Sequence, residues 1–331
     1  MTELLLNSDL LSVISYQLSK LFLKKLRTNM KRRKFIKQTA AGMVYSTLGG
    51  LSLQSCTTSA EKQITILHTN DTHSHIEPFE ANHHRYPNRG GVARRAFLVE
   101  QIRKENPNTL LLDAGDIFQG TPYFNYFGGE LEFKLMSKLQ YDAATMGNHD
   151  FDNSIEGFHK QLPHANFDFV CSNYDFSNTI LDGFTKRYRI FHKDGIKIGV
   201  FGLGIELKGL VNPKMYKETK YLDPIEIASD VSKELKEKEQ CDLIICLSHL
   251  GHEYQSDQVS DVTLAAATEH IDLIIGGHTH TFLPKPTITR NKNDEKMLVN
   301  QVGAYGVNLG RVDFFFDAEN NKTSREKIIV V

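Results

Sequence analysis

Gln63-Ile64-Thr65-Ile66-Leu67-His68-Thr69-Asn70-Asp71-Thr72-His73 is an apolar run that passes abruptly into oxygen and imidazole side chains. Residues 63–69 have the length and the β-branched content of a buried strand. Asp71 and His73 are two apart, so both can project to one side of an extended segment. The design recurs four times downstream. Gly115-Asp116 closes the run 109–114, and Gly147-Asn148-His149-Asp150-Phe151-Asp152 closes 142–146. Ser248-His249 closes 242–247, and Gly276-Gly277-His278-Thr279-His280 closes 271–275. Each segment delivers polar groups where a strand would end. Core packing alone gives no reason for all five.

Between these runs the period changes from two to that of a helix. Helices are expected over 92–104, 130–139, 155–162, 224–240 and 257–270, and a strand over 167–171. Lys193-Asp194-Gly195 between 187–192 and 196–203 signals a hairpin. The tail runs 285–290, 297–302 and 309–316 look antiparallel. Alternation of strand and helix implies a largely parallel core, and two mixed sheets with helices outside would accommodate the pattern. No internal repeat or linker interrupts it, so one domain is expected over 63–331.

The donor set decides the chemistry. Carboxylate oxygen and imidazole nitrogen suit zinc, manganese or iron(II). A carboxylate such as Asp116 can bridge two ions about 3.5 to 4 Å apart. Gly115 would let backbone pass close to them, and Asn148 offers a neutral amide oxygen. Two divalent ions bring four positive charges, of which Asp71 and Asp116 cancel two. The remaining field suits a phosphate oxyanion. A lone histidine after a strand is commonly structural, and Asp-x-His or Gly-Asp alone is a weak signal; the joint pattern carries the reading. His83 and His84 are expected to be solvated. His68, His75 and His252 are candidates for hydrogen-bonding the ligands rather than for ligation. Arg94 and Arg95, after Gly90-Gly91, form either an anion-binding helix entry or a surface pair.

The combination resembles a calcineurin-like metallophosphatase of the secreted 5′-nucleotidase branch. The resemblance is carried by Leu67–His73, Gly115-Asp116, Gly147–Asp152 and Gly277–His280. It implies a four-layer αββα sandwich of two mixed sheets flanked by helices. It implies that Asp71, His73, Asp116 and His280 hold one divalent ion and that Asp116, Asn148, His249 and His278 hold a second. Some members have Gln where this chain has His280. His149 resembles the catalytic histidine, which with Asn148 contacts the phosphate; Asp152 resembles its acidic partner, with Asp150 as second choice. The implied reaction is in-line attack by metal-bound hydroxide on a phosphate monoester such as a nucleotide. Other bonds cut on this fold are cyclic phosphodiesters, dinucleotide pyrophosphates and thiosulfate esters. A non-catalytic, metal-holding subunit is the alternative of a different class. Full-length 5′-nucleotidases carry a second, substrate-binding domain after this one. The resemblance therefore implies a separate C-terminal-domain chain as partner.

Composition limits the partners further. The 331 residues carry a formal net charge of −1. Residues 1–55 hold nine Lys/Arg and two Asp/Glu, so without their excess of seven positive charges the rest stands at −8. An acidic body argues against a nucleic-acid polymer. Cys171, Cys241 and Cys246 lie in apolar runs and read as buried thiols. Lys31-Arg32-Arg33-Lys34-Phe35-Ile36-Lys37 and the apolar run after it resemble a twin-arginine export signal over 30–55. Leu53-Gln54-Ser55-Cys56 resembles a lipobox, which makes Cys56 the expected lipidation site, 56–62 a tether and the periplasmic face of a bacterial membrane the location. Residues 1–29 read as an upstream extension, with translation starting at Met30.

Overall fold

The structure, a computed structural model, describes residues 61–331. The expected extension 1–29, the signal 30–55 and Cys56 lie outside the described residues.

Two six-stranded sheets dominate. The first has the order β14-β13-β1-β2-β3-β4, built from β1 (Lys62–Thr69), β2 (Thr109–Asp113), β3 (Ala143–Ala144), β4 (Asp168–Phe169), β13 (Asn308–Phe316) and β14 (Lys322–Val330). The second has the order β11-β12-β10-β9-β7-β6, from β6 (Tyr188–Lys193), β7 (Ile196–Leu203), β9 (Leu243–Ser248), β10 (Leu273–Gly276), β11 (Thr287–Arg290) and β12 (Lys296–Asn300). β5 (Tyr174–Asp175) and β8 (Lys220–Tyr221) form a small separate ribbon. β1 to β4 are mutually parallel, as are β7, β9, β10 and β12.

The four layers follow from how the strands divide their side chains. Ile64, Ile66, Leu110 and Leu112 pack with Ile198, Leu243, Ile245, Leu247, Leu273 and Ile275 between the sheets. Their neighbours Leu67 and Leu111 face out onto Val99, Ile102, Phe133, Met136 and Phe158. On the second sheet Ile244, Cys246 and Ile274 face out onto Ala228, Val231 and Leu264. A strand buried on both faces must be apolar at consecutive positions, which explains the uninterrupted runs. Cys171, Cys241 and Cys246 are buried free thiols, as expected.

Several boundaries differ from the sequence reading. The helix expected over 257–270 spans only Asp261–Ala267, because Ser260 and Thr263 form a capping box that starts it late. The helix expected over 224–240 is α-helical over Pro224–Lys233 and ends in a π-helical turn, Glu234–Lys238. A short helix, Pro122–Phe127, and the edge strand β14 were not foreseen. The tail is antiparallel as expected in the β11–β12 pair and in β13, which pairs antiparallel with β1 and β14; β12 also runs parallel to β10. The hairpin forms as expected, with Asp194 and Gly195 both at positive φ between β6 and β7. No helix among the described residues is long and apolar enough to cross a membrane.

Candidate metal centre

Because β1, β2, β3, β9 and β10 run the same way within their sheets, each sheet gathers the carboxyl ends of its strands at one place, where open α/β sheets bind ligands. Asp71 and His73 follow β1, Asp116 follows β2, Asn148 follows β3, His249 follows β9, and His278 and His280 follow β10. Two clusters result: Asp71, His73, Asp116 and His280, and Asp116, His249 and His278, with donor atoms in each within 4.8 Å of one another. Asp116 belongs to both. His280 Nε2 lies 3.3 Å from Asp71 Oδ1 and 3.0 Å from His73 Nε2. His249 Nε2 lies 3.0 Å from Asp116 Oδ2. Asn148 Oδ1 joins the second cluster, 2.8 Å from His278 Nδ1.

The residues fit divalent ions on three observations. First, His249 Nδ1 donates to Ala114 O at 2.7 Å. That leaves Nε2 buried and facing Asp116 Oδ2. His73 is held alike by Phe118 O at 3.2 Å. A backbone carbonyl on one ring nitrogen fixes the ring orientation that aims the other nitrogen inward, as in metal-binding histidines. Second, a Cβ on Gly147 would sit 2.2 Å from Asp116 Oδ1, and one on Gly277 would sit 2.7 Å from His249 Nδ1. Backbone therefore closes tightly around the donors. Third, Asp71 and Asp116 are buried carboxyl side chains ringed by imidazoles, a donor set for zinc, manganese or iron. Burial opposes charge on Asp116 and His249 alike. Their mutual attraction outweighs it, holding Asp116 below the usual carboxylate range and raising His249 to about 10.

His149 stands at the edge of the clusters, its ring 5.3 Å from that of His73. Its Nδ1 is 2.8 Å from Asp152 Oδ2. That hydrogen bond raises the His149 pKa; partial burial lowers it, and Asp116 adds to the rise. Asp150, the second choice for the acidic partner, does something else. Its carboxylate is fully buried and accepts four backbone N–H groups, from Asp116 (3.0 Å), Ile117 (3.0 Å), Phe118 (3.1 Å) and Gly147 (2.8 Å). It ties the Asp116 loop to the Asn148 turn.

These observations also revise the surrounding histidines and arginines. His83 is not simply solvated: its ring packs on Phe79 and Tyr86, and its Nδ1 accepts from Tyr86 N at 2.9 Å. His84 is exposed. His68 does not serve the candidate ligands; it is buried, its Nε2 bonded to Asn300 Nδ2 at 2.9 Å, with its pKa lowered by burial to about 3. His75 packs against Phe79 and Tyr305, and His252 meets Thr287 Oγ1. Arg94 is exposed on Asn88 O, whereas Arg95 is buried, so they form no pair. Sequence reasoning missed residues 300–305, a sixth strand-end segment. Tyr305 N donates to Asp71 O at 2.7 Å, and its ring lies 5.5 Å from that of His280. No residue type in it signals a ligand.

The match to the calcineurin-like phosphoesterase model covers residues 64–282, which is most of the described chain and includes every candidate ligand. The chain belongs to the calcineurin-like phosphoesterase family. It is 34% identical over 286 residues to the trifunctional nucleotide phosphoesterase YfkN of Bacillus subtilis, covering 77% of this chain and 18% of that one. It is 33% identical over 333 residues to the 5′-nucleotidase of Vibrio cholerae, covering 91% of this chain and 58% of that one. The crystal structure of a 5′-nucleotidase precursor from Thermus thermophilus superposes with a TM-score of 0.75 at 32% identity, over 82% of this chain and 55% of that one. Its likeness supports the αββα architecture. The chain spans about half the length of most of these relatives.

Proposed function

We propose that this chain is an exported metal-dependent phosphohydrolase that cleaves phosphate monoesters of nucleotides at a two-ion centre. The observation that carries the proposal is the pair of donor clusters sharing Asp116, with the His149–Asp152 pair at their edge. Asp71, His73, Asp116 and His280 would hold one ion; Asp116, Asn148, His249 and His278 would hold the other. Two bound divalent ions would polarise the phosphoryl oxygens and lower the pKa of water. The protein's own part is positional and acid–base. Asn148 and His149 face the phosphate. His149, kept protonated to higher pH by Asp152, stabilises charge on the phosphoryl oxygens or delivers its proton to the leaving alkoxide. Asp152 fixes the ring through Nδ1 and so presents Nε2–H to the substrate. The names of the relatives, which include 5′-nucleotidases from bacteria and snake venom, support the nucleotide reading.

The five segments supply phosphate chemistry and no evident reader of a nucleoside, and the relatives extend well beyond the shared region. A separate substrate-binding chain belongs to the same proposal on the family resemblance, as does anchoring through Cys56 on the lipobox-like Leu53-Gln54-Ser55-Cys56. A phosphate-release screen across nucleotides, sugar phosphates and cyclic nucleotides tests it. Preferential release from nucleoside monophosphates supports the reading; release from cyclic nucleotides alone refutes it. Turnover and affinity for AMP comparable to a two-domain enzyme would remove the need for a partner. The mass of the mature N-terminus tests lipidation.

A further inference from the structure

Residues 300–305 carry no candidate ligand, yet buried polar bonds run from them to both sheets' ligand loops. Gln301 directly follows β12 and is fully buried. Its Nε2 donates to Gly277 O at 2.6 Å. Its Oε1 accepts from Thr281 N and from Thr279 Oγ1, the latter at 3.2 Å. One amide thus brackets the peptide that carries His278 and His280. The following residues extend the grip. Gly303 N donates to Thr281 O at 3.0 Å. Val302 N donates to Asn70 Oδ1 at 3.0 Å, and Asn70 Nδ2 lies 2.5 Å from Gly303 O and 2.6 Å from Asp71 Oδ2.

The grip has a reason. His278 and His280 have φ of 72° and 51°, and Asp71 has φ of 49°. Non-glycine residues are strained in this region and persist only where their surroundings over-determine them. The turns are what separate the two histidines: His278 reaches the Asp116–His249 cluster, and His280 reaches the Asp71–His73 cluster. We infer that Gln301 is a positioning residue that holds the 277–281 peptide in this strained form and so assigns one histidine to each cluster. The inference rests on the two-ion reading above. The task needs one donor and an oxygen accepting twice in one rigid group. A primary amide has both, whereas a carboxylate lacks the donor and would set an oxygen against Gly277 O.

The test is cobalt(II) binding to the full chain, followed by visible absorption and by competition with a chelator. Gln301→Glu and Gln301→Leu are compared with wild type and with Ile198→Val, a core change in β7 remote from the site. Both Gln301 variants should bind Co²⁺ about 10- to 100-fold more weakly than wild type and with an altered band pattern. Ile198→Val should lower the unfolding midpoint while leaving Co²⁺ affinity unchanged. Wild-type affinity and bands in both Gln301 variants overturn the inference. A wild-type chain that takes up no Co²⁺ overturns the two-ion reading instead, and the role of Gln301 with it. Should the Gln301 variants not fold, amide exchange in metal-free wild type decides. The Thr281 N–H should exchange as slowly as the amides of β10, and rapid exchange refutes the inference.

Discussion

Gly147→Ala is a demanding probe of the centre because it changes shape and little else. Gly147 has φ −96° and ψ 179°, an extended conformation that alanine adopts without strain. Any effect is therefore steric. An added Cβ would lie 2.2 Å from Asp116 Oδ1, 2.5 Å from Asp116 N and 2.6 Å from His249 Cε1. All three atoms are buried and belong to candidate ligands, so no flexible chain end can swing aside. Reaching ordinary contact requires Asp116 and His249 to move by about 1 Å relative to the Gly147 turn. A functional constellation tolerates roughly 0.5 Å, and a 1 Å misplacement costs on the order of 100-fold in rate. Overpacking of this kind destabilises by about 1–3 kcal/mol, which should leave the chain folded. The expected outcome is loss of at least one of two bound ions by elemental analysis. A fall of about 100-fold or more in kcat/KM for phosphate release should accompany it, with a largely unchanged circular dichroism spectrum. Two ions retained and activity within a few-fold of wild type would refute the argument that Asp116 is shared between clusters in this geometry.

Other changes separate the roles. His149→Asn should lower kcat by about 100-fold or more while both ions stay bound, since His149 lies in neither donor cluster; loss of the ions would show that its role is wrongly assigned. Asp116→Ala should strip metal instead, because both clusters use that carboxylate, and unchanged stoichiometry would contradict the bridging role. His68 gives a pH test remote from the chemistry. Its folded pKa, about 3, lies below the unfolded value of 6.5 because burial disfavours the charged ring. Its contribution is therefore complete above pH 6.5 and is lost as pH falls below it, at about 1.4 kcal/mol per pH unit. In urea unfolding of the metal-free chain, wild type should lose about 1 kcal/mol more than His68→Gln between pH 6.5 and 5.5, the slope reaching its limit only below that window. Equal losses would show that His68 is not the buried, neutral group the structure depicts.

The fold and the donor clusters were legible because both constrain residue type. A strand buried on two faces must be apolar throughout, and ligands must be carboxylate, imidazole or amide, so β1, β2, β9 and β10 and the residues after them stood out. What escaped the sequence was held largely by backbone groups, which any residue offers. Residues 300–305 act through backbone N–H, backbone C=O and one amide, which leave no compositional trace. β14 is an edge strand with mostly exposed polar side chains, so its alternation is faint. The late start of the helix at Asp261 depended on a Ser260–Thr263 side-chain exchange that competes with helix over 257–260. Asp150 could be read as an acid partner from its place in the motif. Only the structure shows its two oxygens spent on four backbone donors.

In the proposed site one carboxylate, Asp116, joins two donor clusters into a single two-ion phosphohydrolase centre. Titrating the metal-free chain with Mn²⁺ or Zn²⁺ while measuring phosphate release from a small phosphate monoester tests it most directly. Little release is expected up to one equivalent, with a rise that saturates at two. Full activity at one equivalent, or activity indifferent to added metal, would contradict it.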